Sequence, residues 1–459
     1  VSVASATGSQ AARPKKTPPT PKARPTGGTF VGLDIGSQLI KVVEVRGFKN
    51  NLNVTAMGVA DTPPGTIQGG IITDAKALGS AIKSLLAKSG VRSRRVVSSV
   101  AGADGVVVRV IEVAAMPANE LKAMMGYEVE RYIPFSVNDV QMDFQPIDPD
   151  AVTNNPDGAT MEVLLAVARN DMLAMHLNTL QAAGLTPVAI DVEPLAVGRA
   201  LLDLNKSNNF ASKNVVIVNI GATMTDVGVY KKGVLRFPRT IPIAGENFTR
   251  AIADHLGLSL EQAEEEKRQH ATVLMDMLSA SGPGFGETSS EPSPFDFDFD
   301  ESASGASGPP DLQSGVFNPY GNAPEEDTLD STKPNTPPVV VPSSVGTDLA
   351  ADDPRSRRRR EVFDALLPQL QEFVMEVRRS VDYFRSRYPS ETVDQIILCG
   401  GSAKIGNLDR YMEYDLGVPA VVGDPLANAT VIARNRNSEL SPAFAVALGL
   451  AARDAVVGL

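Results

Sequence analysis

Two stretches of this chain follow one plan: a buried apolar strand, a turn built on glycine, then two further strands. In the first, Phe30–Asp34 leads through Gly36 to Ile40–Arg46 and Asn53–Ala60. In the second, Asn214–Ile220 leads through Gly221, 185 residues after Gly36, to Thr225–Tyr230 and Val234–Ile241. Short β-branched runs bounded by Gly, Ser and Asn read as strands. A plan used twice in the same order predicts an α/β protein of two duplicated lobes. A length of 459 residues with 43% hydrophobic content is enough for two cores, each of the usual ~100–200 residues.

The rest of the chain fits between these repeats. Leu78, Ile82, Leu85 and Leu86 predict a helix over Ala75–Lys88, stopped by Gly90. Strand-like runs at Val96–Ala101, Val106–Val113 and Val163–Ala168, with helix candidates Ala118–Tyr132 and Asp171–Ala183, suggest a small inserted subdomain over about 95–185. Farther on, Val362, Leu366, Leu370, Phe373, Val377, Val381 and Phe384 place a long amphipathic helix over Glu361–Arg387, which Pro368 is expected to bend or interrupt. Val393–Leu398 reads as a buried strand feeding Gly400 and Gly401, and Ala443–Ala452 as a helix of small residues.

Charge excludes several classes of function. The formal net charge is −11, but residues 281–355 set 14 acids against Lys333 and Arg355, so the remainder is nearly neutral and offers no basic face for nucleic acid. That stretch, rich in Gly, Pro, Ser and Asp, buries too little apolar area to offset the entropy of ordering, and reads as a disordered acidic insertion. Residues 1–28, with Arg13, Lys15, Lys16, Lys22, Arg24, five prolines and no acid, read as a disordered basic tail without the apolar core of a signal peptide. No apolar run approaches the ~18–20 residues of a membrane span, so the chain reads as soluble. A single cysteine, Cys399, rules out an intrachain disulfide, and His176, His255 and His270 form no metal-ligand motif.

Three glycine motifs carry the chemistry. Gly32-Leu33-Asp34-Ile35-Gly36-Ser37 ends a buried strand, where Gly36 suits the positive φ of a tight turn and backbone N–H groups face a phosphate oxygen. An Asp just before such a turn suits a hydrated Mg²⁺. Asn219-Ile220-Gly221-Ala222-Thr223-Met224 repeats that context, and Gly400-Gly401-Ser402 lets the main chain approach a flat ligand such as an adenine. Each alone is an ordinary turn. Glu128 and Glu130 do not form an acid–base pair, because helical residues two apart point about 200° from each other.

Taken together, the three motifs resemble the actin, Hsp70 and sugar-kinase superfamily, in which two phosphate loops clamp a nucleotide and a double glycine covers the adenosine. Ala263–Arg268 looks like its adenosine-contacting helix, with Glu264, Lys267 and Arg268 as the contacts. The likeness narrows to the PilM family of type IV pilus assembly proteins at Val31–Ser37 with Ile40–Glu44, at Met116-Pro117 and Glu120-Leu121, at Glu128–Phe135, and at Gly245–Thr249. It covers residues 30–275 and 360–459.

That resemblance implies an actin-like two-lobed fold, with a first lobe over 29–212 and a second over 213–459. It implies an ATP site in which Gly36, Ser37, Gln38, Gly221, Ala222 and Thr223 form the phosphate loops, and Lys41 adds a positive charge. Asp34 would organise Mg²⁺, Glu246 and Lys267 would contact adenosine, and Gly400, Gly401 and Ser402 would cover it. Asn219 stands where many superfamily members have a second Asp, and a neutral amide cannot act as a base; Met224 stands where a Thr is common. Hydrolysis is therefore expected to be weak or absent. The partner implied is a PilN-like inner-membrane protein, whose cytoplasmic N-terminal peptide would meet Met124, Tyr127, Tyr132, Ile133 and Phe135. The alternative is an FtsA-like filament-forming ATPase; the residues Gly449–Leu459 show neither the linker nor the amphipathic membrane helix expected of one. A kinase or chaperone ATPase would need a substrate domain for which the chain leaves little room.

Overall fold

The computed structural model describes residues 28–48, 51–102, 105–148, 160–204, 210–280, 353–427, 429–433 and 438–453. The described residues up to Asp276 and from Pro354 onward form one compact unit. The basic tail at 1–27 and acidic residues 281–352 fall outside the described residues.

The duplication read from the sequence is present in the sheets. In the first lobe β1 (Gly28–Ile35), β2 (Leu39–Phe48) and β3 (Asn51–Asp61) form an antiparallel meander. The hairpin β4 (Ile67–Gln68) and β5 (Ile71–Ile72) follows, then α1 (Ala75–Ser89), which stops at Gly90 with φ 72°. Strands β6 (Arg95–Val100) and β10 (Thr186–Val192) then add in parallel on the β1 side. The second lobe repeats this arrangement with β11 (Asn214–Ile220), β12 (Thr225–Lys231) and β13 (Val234–Ile241) antiparallel, and β14 (Gln395–Cys399) and β15 (Ala420–Val422) parallel beyond β11. Every residue of β11 is buried, because helices cover both faces of a sheet of this kind.

The inserted subdomain is narrower than the sequence suggests. Its sheet, in the order β7 (Val106–Ala114), β9 (Thr160–Arg169), β8 (Val140–Pro146), lies between β6 and β10, which belong to the first lobe's main sheet. Met161, Val163, Leu165 and Val167 alternate inward along β9 and meet Leu121 and Met125 of α2 (Ala118–Glu128). After β9 the chain enters α3 (Asn170–Ala182) without a loop and returns to the main lobe.

Helices α4 (Glu193–Gly198), continued by a π turn over Arg199–Asp203, α5 (Gly245–Leu256), α6 (Leu260–His270) and α7 (Met275–Ala280) precede α8 (Pro354–Arg387). α8 is one uninterrupted helix of 34 residues with Pro368 inside it, and it takes in residues 354–355 assigned above to the insertion. A proline removes one backbone hydrogen bond, but Val362, Leu366, Leu370, Phe373, Val377, Val381 and Phe384 are all buried, and this face holds the helix through the gap. Phe373 meets Phe248 of α5 edge-on, ring centroids 5.8 Å apart.

After α9 (Leu408–Leu416) the chain supplies β16 (Thr430–Val431), which pairs with β3 in the first lobe, and then α10 (Ala445–Ala451), buried along its whole length. A Cβ on Gly32 would lie 1.9 Å from the Ala447 carbonyl oxygen, and one on Gly449 would lie 1.8 Å from that of Ala196. Glycine is required at both positions, because α10 presses against β1 on one side and α4 on the other.

Candidate nucleotide cleft

The two glycine turns close with the same backbone bond. Gly36 N–H donates to the Leu39 carbonyl at 3.1 Å, and Gly221 N–H to the Met224 carbonyl at 3.0 Å. Neither glycine has the positive φ that the sequence suggested. What each lacks is room for a side chain: a Cβ would lie 2.9 Å from Leu39 O in the first turn and 2.7 Å from Met224 O in the second. The loops meet where Ser37 Oγ and Thr223 Oγ1 lie 3.2 Å apart.

Both loops open onto one cavity of about 840 Å³, within the ~300–1,000 Å³ usual for small-molecule sites. Asp34, Gly36, Ser37, Gln38, Lys41, Gly221, Ala222, Thr223, Glu264, Lys267, Arg268, Gly400, Gly401 and Ser402 all line it. Glu246 does not; its N–H donates to the Ala222 carbonyl at 2.8 Å and braces the second loop from behind. Gly400 does take a positive φ, 88°, and a Cβ there would lie 2.4 Å from the Ile220 carbonyl oxygen. Lys267 Nζ donates to the Gly245 carbonyl at 2.8 Å and to Thr249 Oγ1 at 2.7 Å, and pairs with Glu264 at 2.7 Å, which ties α6 to the start of α5.

The cavity floor is acidic. Asp34 is buried and accepts from Lys41 Nζ at 2.8 Å. Beside it are three residues of the wall whose roles the sequence reading missed or took differently: Glu193, Asn219 and Asp226. Asn219 Nδ2 donates to Glu193 Oε2 at 3.1 Å, and Thr240 Oγ1 donates to Asp226 Oδ1 at 2.7 Å. Burial drives the Glu193 carboxyl well above its usual range, and Asp226 and Asp34 push it further the same way. Burial raises Asp226 as well, and the two carboxyls are joined by a hydrogen bond. In sequence, Glu193 is one acid before a proline. Its significance comes from its place just past the carboxyl end of β10, level with the ends of β1 and β14, where open sheets of this type bind ligands.

The five candidate partner residues lie on the inserted subdomain. Ile133 is 7% exposed and belongs to its core rather than to a groove wall. Met124, Tyr132 and Phe135 pack on that core half-buried. Tyr127 is in α2, and its side chain lies outside the described residues.

A family model for the type IV pilus assembly protein PilM matches residues 32–273, which contain both glycine loops and the whole inserted subdomain. The chain belongs to the PilM family. A model for the cell division protein FtsA also matches, over residues 216–449. The chain is similar to FtsA of Bacillus subtilis (strain 168), 26% identical over 268 residues, covering 54% of this chain and 60% of that protein. It is similar to FtsA of Streptococcus pneumoniae serotype 2 (strain D39 / NCTC 7466), 24% identical over 270 residues, covering 55% and 58%. It thus spans about 60% of the length of these curated relatives. A solved structure described as the PilM-PilN type IV pilus biogenesis complex superposes with a TM-score of 0.67 at 26% identity, covering 93% of this chain and 98% of that one. The architecture this PilM-family chain shares with these proteins is the actin-like two-lobed α/β fold, with a small subdomain inserted in the first lobe.

Proposed function

We propose that this chain is an ATP-binding scaffold of a type IV pilus machine. It works in the cytoplasm at the inner face of the inner membrane, and its inserted subdomain receives the N-terminal segment of a PilN-like membrane protein. The observation that carries the nucleotide half is the pair of identically closed glycine loops meeting at Ser37 and Thr223 over one cavity. The partner half is supported by the likeness to the PilM-PilN complex and by half-buried Met124, Tyr132 and Phe135. Among the described residues, no helix is long and apolar enough to cross a membrane.

Mg²⁺ fits the cleft as a companion of the nucleotide. Among the described residues, no three His, Cys, Asp or Glu side chains form a metal site by themselves. A nucleotide-bound Mg²⁺ needs only one or two carboxylates besides phosphates and water, and Asp34 supplies one on the cavity wall. When bound, the ion would neutralise phosphate charge. Lys41, which pairs with Asp34 and lines the same cavity, would hold a phosphate oxygen. Asn219 donates its amide to Glu193 and, being neutral, cannot act as a base, so turnover is slow or absent.

The test is a thermal melt with and without ATP and Mg²⁺. At a hundredfold excess over Kd a ligand that binds only the folded state stabilises it by ~2.7 kcal/mol. A melting temperature unchanged at millimolar ATP would reject the nucleotide reading. The FtsA match over the second lobe favours a second reading, a filament-forming ATPase. ATP-dependent pelleting in the absence of any partner would support it.

A further inference from the structure

Glu112 and Glu162 are direct register partners across β7 and β9, so two carboxylates stand side by side on one face of the inserted sheet. Like charges placed this way repel, at a Cα separation of only ~4.5–5.5 Å. Each is answered from the second lobe. Arg387, the last residue of α8, donates to Glu112 Oε2 at 2.7 Å. Arg236, on β13, donates to Glu162, and the Tyr388 hydroxyl adds a bond to Glu162 Oε1 at 3.3 Å. Thr160 also donates to Glu112, from the strand that carries Glu162.

These bonds link elements that begin at the cleft. β9 runs from Glu162 straight into α3, whose Met172 and His176 line the cavity. β13 is held to β12 by Thr240 and Asp226, and Asp226 is on the cavity wall just after the second phosphate loop. The Arg236–Glu162 bridge thus closes a ring of rigid elements that starts and ends at the nucleotide cleft. If the lobes part, the bridge opens and two facing carboxylates lose their cations.

We propose that Glu112 and Glu162, with Arg236, Arg387 and Tyr388, form a latch through which closure of the cleft on nucleotide sets the mobility of the inserted subdomain, and so its readiness for a peptide. This rests on the ATP and peptide reading given above. The latch has the right strength for a switch. The Arg387–Glu112 pair is about half exposed and the Arg236–Glu162 pair about one quarter. Pairs this open shift an equilibrium by at most about fivefold each, which a bound nucleotide can outweigh.

Hydrogen exchange of β7 and β9 with and without ATP and Mg²⁺ tests the proposal, with ATP affinity measured on the same samples. In the parent protein, ATP should slow exchange in both strands by about tenfold. In Glu162→Gln, ATP should still bind, while that slowing falls below about threefold. The reversed pair Glu162→Arg with Arg236→Glu should restore it, which a merely structural loss would not allow. ATP binding in the parent without any change of exchange in β7 and β9 overturns the latch alone. Absence of ATP binding overturns the latch together with the reading beneath it.

Discussion

Ser98 Oγ donates to the Leu33 carbonyl at 2.8 Å, so its 3.0 Å contact with His176 has a fixed sense: His176 Nε2–H is the donor. A buried histidine on α3 thereby holds β6 against β1 one residue before Asp34, and it does so as the neutral ring.

That neutrality sets an acid limit on the fold. Burial pushes His176 down to about 4 from its ordinary 6.5. Below 6.5 the unfolded chain takes up a proton that the folded chain refuses, so stability falls with pH down to about 4, by roughly 3 kcal/mol in all. Above that window this contribution is flat. Urea denaturation at pH 7, 6 and 5 checks it: His176→Gln should lack this part of the slope, and equal slopes in both proteins would refute the assignment.

The glycine loops tolerate no side chain. Gly36→Val and Gly221→Val each place a Cβ inside van der Waals contact with the carbonyl that closes the loop. Each should cost about 1–3 kcal/mol of stability and abolish the rise in melting temperature on adding ATP. A variant that keeps the full shift would show that the loops do not touch phosphate.

Ile133 and Phe135 are two residues apart and should fail differently. Truncating buried Ile133 to Ala removes core and should cost about 2–4 kcal/mol of stability. Phe135→Ala should spare most stability and weaken binding of a PilN-like N-terminal peptide by about thirtyfold, ~2 kcal/mol, the usual loss at an aromatic anchor. Calorimetric titration after a melting-curve control decides it; parent-like affinity in Phe135→Ala would move the groove elsewhere.

Asn219→Asp replaces a donor with a third acid beside Glu193 and Asp226. With Lys41 already paired to Asp34, the added buried carboxylate should lower stability by about 2–4 kcal/mol in nucleotide-free protein. A chemical denaturation curve matching the parent would mean that water reaches this floor freely.

The strands and loops of the cleft were legible because each rests on a local pattern: an apolar run, a glycine, a second run. Glu193 was not, since its meaning depends on β10 adding beside β6 across some ninety residues, and no local spacing records that pairing. The same long-range pairing drew the inserted subdomain too wide. Pro368 misled for the opposite reason. Local backbone chemistry argued for a break, and the buried face of α8 outweighed one lost hydrogen bond. Gly36 was correctly tied to its turn, but for its torsion angle, when the constraint is the nearby carbonyl of Leu39.

β16 and α10 complete the first lobe, although they are translated after the whole second sheet. On the ribosome, β1, β2 and β3 emerge with the place for α10 empty, and the apolar surface around Val43, Val45 and Met57 waits for Ala447, Leu448 and Ala451. At ~5–20 residues per second that wait lasts several tens of seconds. The first lobe is thus begun before the second and closed after it, and a nascent chain stalled before Thr430 would offer that surface to chaperones.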